Sequence, residues 1–516
     1  MRVITHGVCG AGGLTDQPRD AHTAEMISPI SISRLRLALM LPAALLLSFG
    51  LEFSPASEAP PPSPRHTLST FSASTIPNAL WSQWVWPLFV EVNDDVFGGA
   101  VKRGLPAEGE FPKKIGGAWA LQALDQGDFA GFQSAPILHV GPAAWTVDDH
   151  NAPCVVPDLR EGAASALTYF QADHNGRVLR RMSSPALDVS RLSTAEALDL
   201  PEGGKCYAMA ARNPSAPDTI WLWHRRGASN SGTWRLARSE DNGATWSSHQ
   251  VFGVPSRSTY FLAKETAAGD GWHLVFHEHP ISGKDQRLAC LRMGWDGAVS
   301  APGLGTVLAQ ALEGDAAYDP FNGGASLILR TPGEGRATRL FDFLETEPGF
   351  LEVVWAEFTH TRGEGFTGTS REYRHARIDL ATGAVVSDTS LGEAGWPQEV
   401  PAGGNDYFCG VTVAGPYDIV KAVWSPDDDS HANHLAHRGS GQLVRMTSSD
   451  AGASWTSTVL ATAPGQKFMR PTVAARYRQD QHGRQRLTAG RRLFVSLGTY
   501  RDFNTWEADL KCYPLR

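Results

Sequence analysis

Charge is scarce in this chain, and positive charge scarcer still. Only 19% of its 516 residues are charged, and 46 Lys+Arg fall short of 54 Asp+Glu, giving a net charge of −8. A surface built to grip a nucleic-acid backbone needs a cationic surplus, so that class of partner is excluded. The six cysteines (Cys9, Cys154, Cys206, Cys290, Cys409 and Cys512) are scattered, with no CxxC pair and no zinc-finger spacing. A chain of this length can bury a large core and needs no disulfide scaffold. Long helical runs are also missing, because 52 Gly and 33 Pro punctuate the sequence densely. What remains is 42% hydrophobic residues, 16 Trp among them, in short β-branched runs between Gly turns. That pattern predicts an all-β protein of many short strands.

The longest apolar stretch, Leu37 to Leu51, is interrupted by Pro42, Ser48 and Gly50, and a bilayer crossing takes about 20 apolar residues. Preceded by Arg34 and Arg36 and followed by Ser54-Pro55-Ala56, it has the layout of a secretory signal peptide. Export follows as the expectation, to the periplasm, the cell surface or the medium, with no transmembrane segment in the mature form. An uncleaved anchor is the alternative; no Cys follows the stretch to carry a lipid. Translation is expected to start at Met26, with 1–25 untranslated or disordered, 26–56 the signal, 57–80 a Pro/Ser-rich linker around Ala59 to Pro64, and 81–516 the folded domain. Five cysteines follow the signal, an odd number from which no pairing can be read; Cys512 either helps fasten the C-terminal end or is a buried free thiol.

Two octets, Ser239 to Trp246 and Ser448 to Trp455, share the pattern S-x-D-x-G-x-x-W. Physically this is a hairpin turn: the Asp carboxylate accepts local backbone N–H groups, Gly supplies positive φ, and Trp folds back to pack. Asp241 and Asp450 are therefore structural. The octets resemble the Asp box of sialidases and related proteins, where the motif marks the blades of a β-propeller. Four-strand units laid around these anchors divide the chain into seven segments starting near Trp81, Ala144, Gly203, Ser258, Thr338, Asn405 and Lys467. The expected fold is thus an all-β β-propeller of seven four-stranded blades, a single domain after the signal peptide, with Ala301 to Gly335 a long loop or insertion.

In such a fold the loop entering a blade's first strand and the loop leaving its second open at one end. Entering first strands are His150 and Asn151, Tyr260, Asp342 and Arg470; leaving second strands are His174, His224 with Arg225 and Arg226, His277 with Glu278 and His279, Glu357, Asp427, and Tyr500 with Arg501. Solvated rim is the plain reading for most of them. His150 and His174 stand out because one blade carries both.

Asp148 to Pro153, His174-Asn175 and Arg180 to Ser183 resemble the bacterial-neuraminidase-repeat proteins that include the propeller-type ulvan lyases, with further similarity at Tyr260, His279-Pro280 and Phe468 to Pro471. In those lyases two histidines, a tyrosine and an arginine cleave a uronic-acid polysaccharide by β-elimination. The resemblance implies such a polysaccharide as partner, and it carries the first three roles onto His150, His174 and Tyr260. The arginine has no counterpart: Phe276-His277-Glu278 stands in its place. Taking the proton beside a uronate carboxylate requires a base, an acid and a stabilising cation. His150 and His174 are assigned to base and carboxylate contact, Tyr260 to the acid or a shared acid/base role, and Arg225 or His277 to neutralisation. Asn151, Arg225, Arg470 and Arg501 are the expected substrate contacts, the arginines supplying a basic mouth on an acidic protein.

Two other readings stay open. A sialidase-like exo-hydrolase needs three arginines, which Arg225, Arg470 and Arg501 supply, and a Tyr/Glu pair, for which Tyr500 or Tyr260 with Glu357 are available; the Arg-Ile-Pro motif is lacking. A non-catalytic propeller binding a glycan or protein is the third. His277, His279 and Cys290 fall on one predicted hairpin and carry donors that suit zinc, or are plain polar surface; no cofactor is identified.

Overall fold

The computed structural model describes residues 74–515, except 77–78, 83, 93–94, 104–115, 124–131, 137–148, 161–165, 173–175, 177, 202–204, 227–232, 254–258, 279–286, 315–316, 322–325, 333–335, 360–370, 395–409, 426–439, 480–484 and 503–504. The signal-like stretch, most of the linker, Cys9 and Cys409 lie outside the described residues.

Continuous apolar runs such as Ile220-Trp221-Leu222-Trp223, buried throughout, form strands, and the strands assemble into successive antiparallel meanders. Among the described residues, four sheets have four strands each, beginning at Cys154, Lys205, Arg336 and Gly410. A fifth, beginning at Thr259, has six, because Ala309–Gln310 and Leu327–Arg330 join it; the region expected to be a loop extends a sheet instead. Among the described residues, an N-terminal and a C-terminal meander merge into one nine-stranded sheet through a parallel pairing of Ala475 with Val90. The chain is an all-β propeller, as the sequence pattern predicts, with burial graded outward from the axis. Strands Lys205–Arg212, Thr259–Glu265 and Gly271–Glu278 are buried on both faces by neighbouring sheets. Outer strands Ala384–Glu393 and Thr456–Pro464 are largely exposed. Edge-to-face aromatic packing joins neighbours, as where Phe261 meets Trp234 at 4.4 Å and Trp223 at 5.3 Å.

Ser74–Ile76, inside the segment read as linker, is a strand paired with Leu510 to Cys512. The partner lies more than four hundred residues away, beyond the reach of local pattern. Cys512 is a buried free thiol there, as are Cys154, Cys206 and Cys290. Among the described residues, no helix is long and apolar enough to cross a membrane.

Candidate active site

The site begins with a cross-strand pair. Strands Thr259–Glu265 and Gly271–Glu278 run antiparallel with Tyr260 opposite His277, and the two rings stack at 5.6 Å. On the neighbouring sheet, Ile220–Arg226 pairs with Lys205–Arg212 so that Arg225 faces Cys206, and the register slips between Cys206 and Met209. Such a bulge re-aims a side chain. Here it holds Tyr207 at a φ of 57°, in the left-handed region that an aromatic residue rarely adopts. The Tyr207 ring consequently lies 5.8 Å from Tyr260, with the Arg225 guanidinium 5.0 Å from the centroid of each. A short 3-10 turn, Asp149–Asn151, brings His150 to 5.3 Å from Tyr207. Beyond Tyr260, Arg339 approaches its ring at 5.9 Å.

All of these side chains are buried, so their charges act without the screening of bulk water. Burial alone would draw the proton off Arg225, but Tyr260, Tyr207 and Cys206 outweigh it and hold the pKa above the ordinary guanidinium value. The guanidinium also hydrogen-bonds the Tyr260 side chain. Its Nε and Nη1 have no hydrogen-bond partner among the described residues. Buried donors left in that state are costly, and each of them can receive an anion's oxygen.

Four of the residues expected at the mouth, His150, Tyr260, His277 and Arg225, are thus brought together, with Asn151 buried beside His150. Arg470 takes another position: with a φ of 53° it turns inward and donates to the Trp81 carbonyl. His174, His279, Asp427 and the side chains of Tyr500 and Arg501 lie outside the described residues. His224 faces Lys205 and Arg235 in the interior, where burial first and these cations second push it down to about 3. Glu357 is gripped by Arg330 at 3.0 and 3.1 Å and by Arg336 at 3.1 Å. Asp342 is committed to Lys264, to the Thr412 hydroxyl at 2.6 Å and to the Val413 N–H at 3.1 Å. Among the described residues, no three His, Cys, Asp or Glu side chains group to hold a metal ion. Cys290 pairs with Val275, not His277, and burial pushes its thiol up to about 12.

Sequence reasoning missed Tyr207, Arg339 and Trp84. Tyr207 occupies the start of a first strand, as Tyr260 does, so the same placement rule reaches it. Arg339 was hidden by a boundary: its strand starts at Arg336, ahead of the expected Asp342. Trp84, which packs beneath Tyr260, precedes every strand of the meanders and carries no local signal.

No protein-family model and no curated protein matches the chain. Among solved structures, an ulvan lyase of polysaccharide lyase family PL25, bound to -[GlcA(1-4)Rha3S]-, is similar with a TM-score of 0.52 at 14% identity, covering 86% of this chain and 94% of that one. Another structure of a PL25 ulvan lyase gives a TM-score of 0.53 at 14% identity with the same coverage. At this identity the likeness establishes the propeller fold.

Proposed function

We propose that the chain is a carbohydrate-active propeller, and specifically a lyase that cleaves a uronate-containing polysaccharide by β-elimination. The observation that carries this reading is Arg225: a buried guanidinium held between two tyrosines, with Nε and Nη1 unpartnered among the described residues. A uronate carboxylate is an anion whose oxygen either donor can receive, beside a guanidinium that keeps its charge. Its neutralisation favours loss of the proton on the adjacent carbon, because the resulting charge spreads onto the carboxylate. The C–H electron pair becomes the carbon–carbon double bond, the bond to the glycosidic oxygen breaks, and that oxygen takes a proton. His150, with His174, is assigned to proton abstraction and Tyr260, with Tyr207 beside it, to protonation of the leaving oxygen; neutral imidazole and phenol suit these tasks. Arg225 also fills the role for which the chain has no arginine after Phe276. The signal-like N-terminal stretch fits a polysaccharide met outside the cytoplasm.

The sialidase-like alternative is disfavoured by Glu357, whose carboxylate is saturated by Arg330 and Arg336, and by Arg470, which is spent on a backbone carbonyl. The test is absorbance at about 235 nm, where unsaturated uronates absorb, on a panel of acidic polysaccharides. Wild-type protein is expected to produce the signal, Arg225→Ala to lower kcat/KM by about 10³-fold or more, and His150→Ala by about 10²- to 10⁴-fold. An active enzyme indifferent to both substitutions would remove this site; silence across the whole panel would remove the lyase assignment.

A further inference from the structure

Residues 81–82 and 84–88 lie outside the named strands, ahead of the first meander strand, Phe89–Val92, and the segment is fastened at both ends. Arg470 and Thr472 hold Trp81, the latter through the indole N–H at 3.4 Å. Trp86 exchanges backbone hydrogen bonds with Ala208 and Ala210 at 3.2 and 2.9 Å, beside the Tyr207 bulge, and Lys264 lies 3.7 Å from its ring centroid. The carbonyl of Pro87 accepts from Val155 at 2.9 Å. Strands from four different sheets therefore fix this segment, which makes it a strut and not a loose connection.

Trp84 is the residue the strut delivers to the site. Fully buried, its indole stacks on His277 at 4.9 Å with planes 26° apart and packs against Tyr260 at 5.2 Å. Arg339 sits over its other neighbourhood at 4.9 Å, a cation–π distance, while also approaching Tyr260. One side chain from outside the blades thus touches three polar groups from two sheets. We propose that Trp84 is a positioning residue: it sets the placement of His277, Tyr260 and Arg339, so that the site is complete only when the segment that carries Trp84 is docked. The proposal rests on the lyase reading for its kinetic consequence, but not for its structural one. The Trp84 indole N–H has no hydrogen-bond partner among the described residues, so Phe at this position loses area and keeps the stacking face.

The experiment compares Trp84→Phe, Trp84→Met and Trp84→Leu with Trp81→Leu, a control in the same strut whose ring packs instead on Phe89 at 5.3 Å. Each is assayed for unsaturated product and solved crystallographically. Expected is activity within about 3-fold of wild type for Trp84→Phe and a fall in kcat of about 10²-fold for Trp84→Leu and Trp84→Met, with KM nearly unchanged because Arg225 remains in place. His277 and Arg339 should leave their positions in the crystals of the Leu and Met variants alone. Met is the fallback should Leu fail to fold. Unmoved His277 and Arg339 side chains in those crystals, or an equal kinetic loss in a folded Trp81→Leu whose crystal keeps Trp84, His277 and Arg339 in place, would overturn the positioning role. A wild type that forms no unsaturated product would overturn the lyase reading instead, and the crystallographic comparison would then decide this proposal by itself.

Discussion

Tyr207 pays for its place in backbone conformation. A non-glycine residue at positive φ costs of the order of 1–3 kcal/mol and persists only where surrounding structure over-determines it. Here the adjacent Trp86 bridge to Met209 pins the bulge, and Arg225, His150 and Trp234 receive the ring. Strain retained beside a buried guanidinium is reasonable only if the hydroxyl or the ring is needed there. Tyr207→Phe keeps the ring and its packing, so melting temperature should stay within about 2 °C of wild type. If the hydroxyl moves a proton, kcat should fall by about 10²-fold or more with little change in KM. Kinetics indistinguishable from wild type would confine Tyr207 to packing.

At the scale of elements, the two octets do the same job in two places. In each, the first Ser accepts from the Gly N–H, at 2.7 Å in one and 2.8 Å in the other, and donates to the Asp carboxylate. The Asp then accepts from the backbone N–H four residues on, at 2.8 Å in both. The hairpins are expected features; their reach is not. Trp246 packs edge-on to Phe170 and Trp455 to His375, each on the preceding sheet, while Arg181 and Thr389 donate to the carbonyls of Gly243 and Gly452. The turns therefore staple neighbouring sheets as well as their own strands. Hydrogen bonds from Thr245 and Ser454 lead in holding Asp241 and Asp450 down at about 2. A depressed carboxylate pKa contributes stability that is complete above the unfolded value and lost as pH falls through about 2. Asp241→Ala should lower the melting temperature at pH 7 and narrow its difference from wild type toward pH 2, without altering activity. A constant difference across that range would separate the loss from the carboxylate.

Across the whole molecule, sheets distant in sequence meet through polar links near the axis. Lys264, Asp342 and Thr412 form one chain across three sheets, extended by the Val473 N–H to Thr412 at 3.4 Å. Tyr477 reaches Glu265 at 2.7 Å across 212 residues. Burial raises Glu265 to about 8, so the folded protein keeps its proton where the unfolded chain has released it. The sign follows: this group favours folding fully below its unfolded pKa, and the contribution fades as pH rises, at up to about 1.4 kcal/mol per pH unit, until about pH 8. Wild type should lose stability in chemical denaturation between about pH 5 and 8, and Glu265→Gln should flatten that slope. Parallel slopes in the two proteins would contradict the assignment.

By itself the sequence determined the strand-rich fold class, the octet hairpins, and His150, Tyr260, His277 and Arg225 as residues at strand ends of one face, because strand alternation and turn chemistry are local. Only the tertiary structure decided that Arg225 brings the guanidinium against Tyr260, which also stacks on His277; that a bulge turns Tyr207 toward it; and that Trp84 lies beneath both His277 and Tyr260. Arg470 illustrates the same limit from the other side, since its position in the pattern resembles that of Tyr260 yet its guanidinium is drawn to the Trp81 carbonyl. The reason is physical. A register slip pinned by Trp86, a strut held by Arg470 and a terminal strand paired across the length of the chain are fixed by contacts between residues from over one hundred to over four hundred positions apart, whose energies appear in no local stretch of sequence.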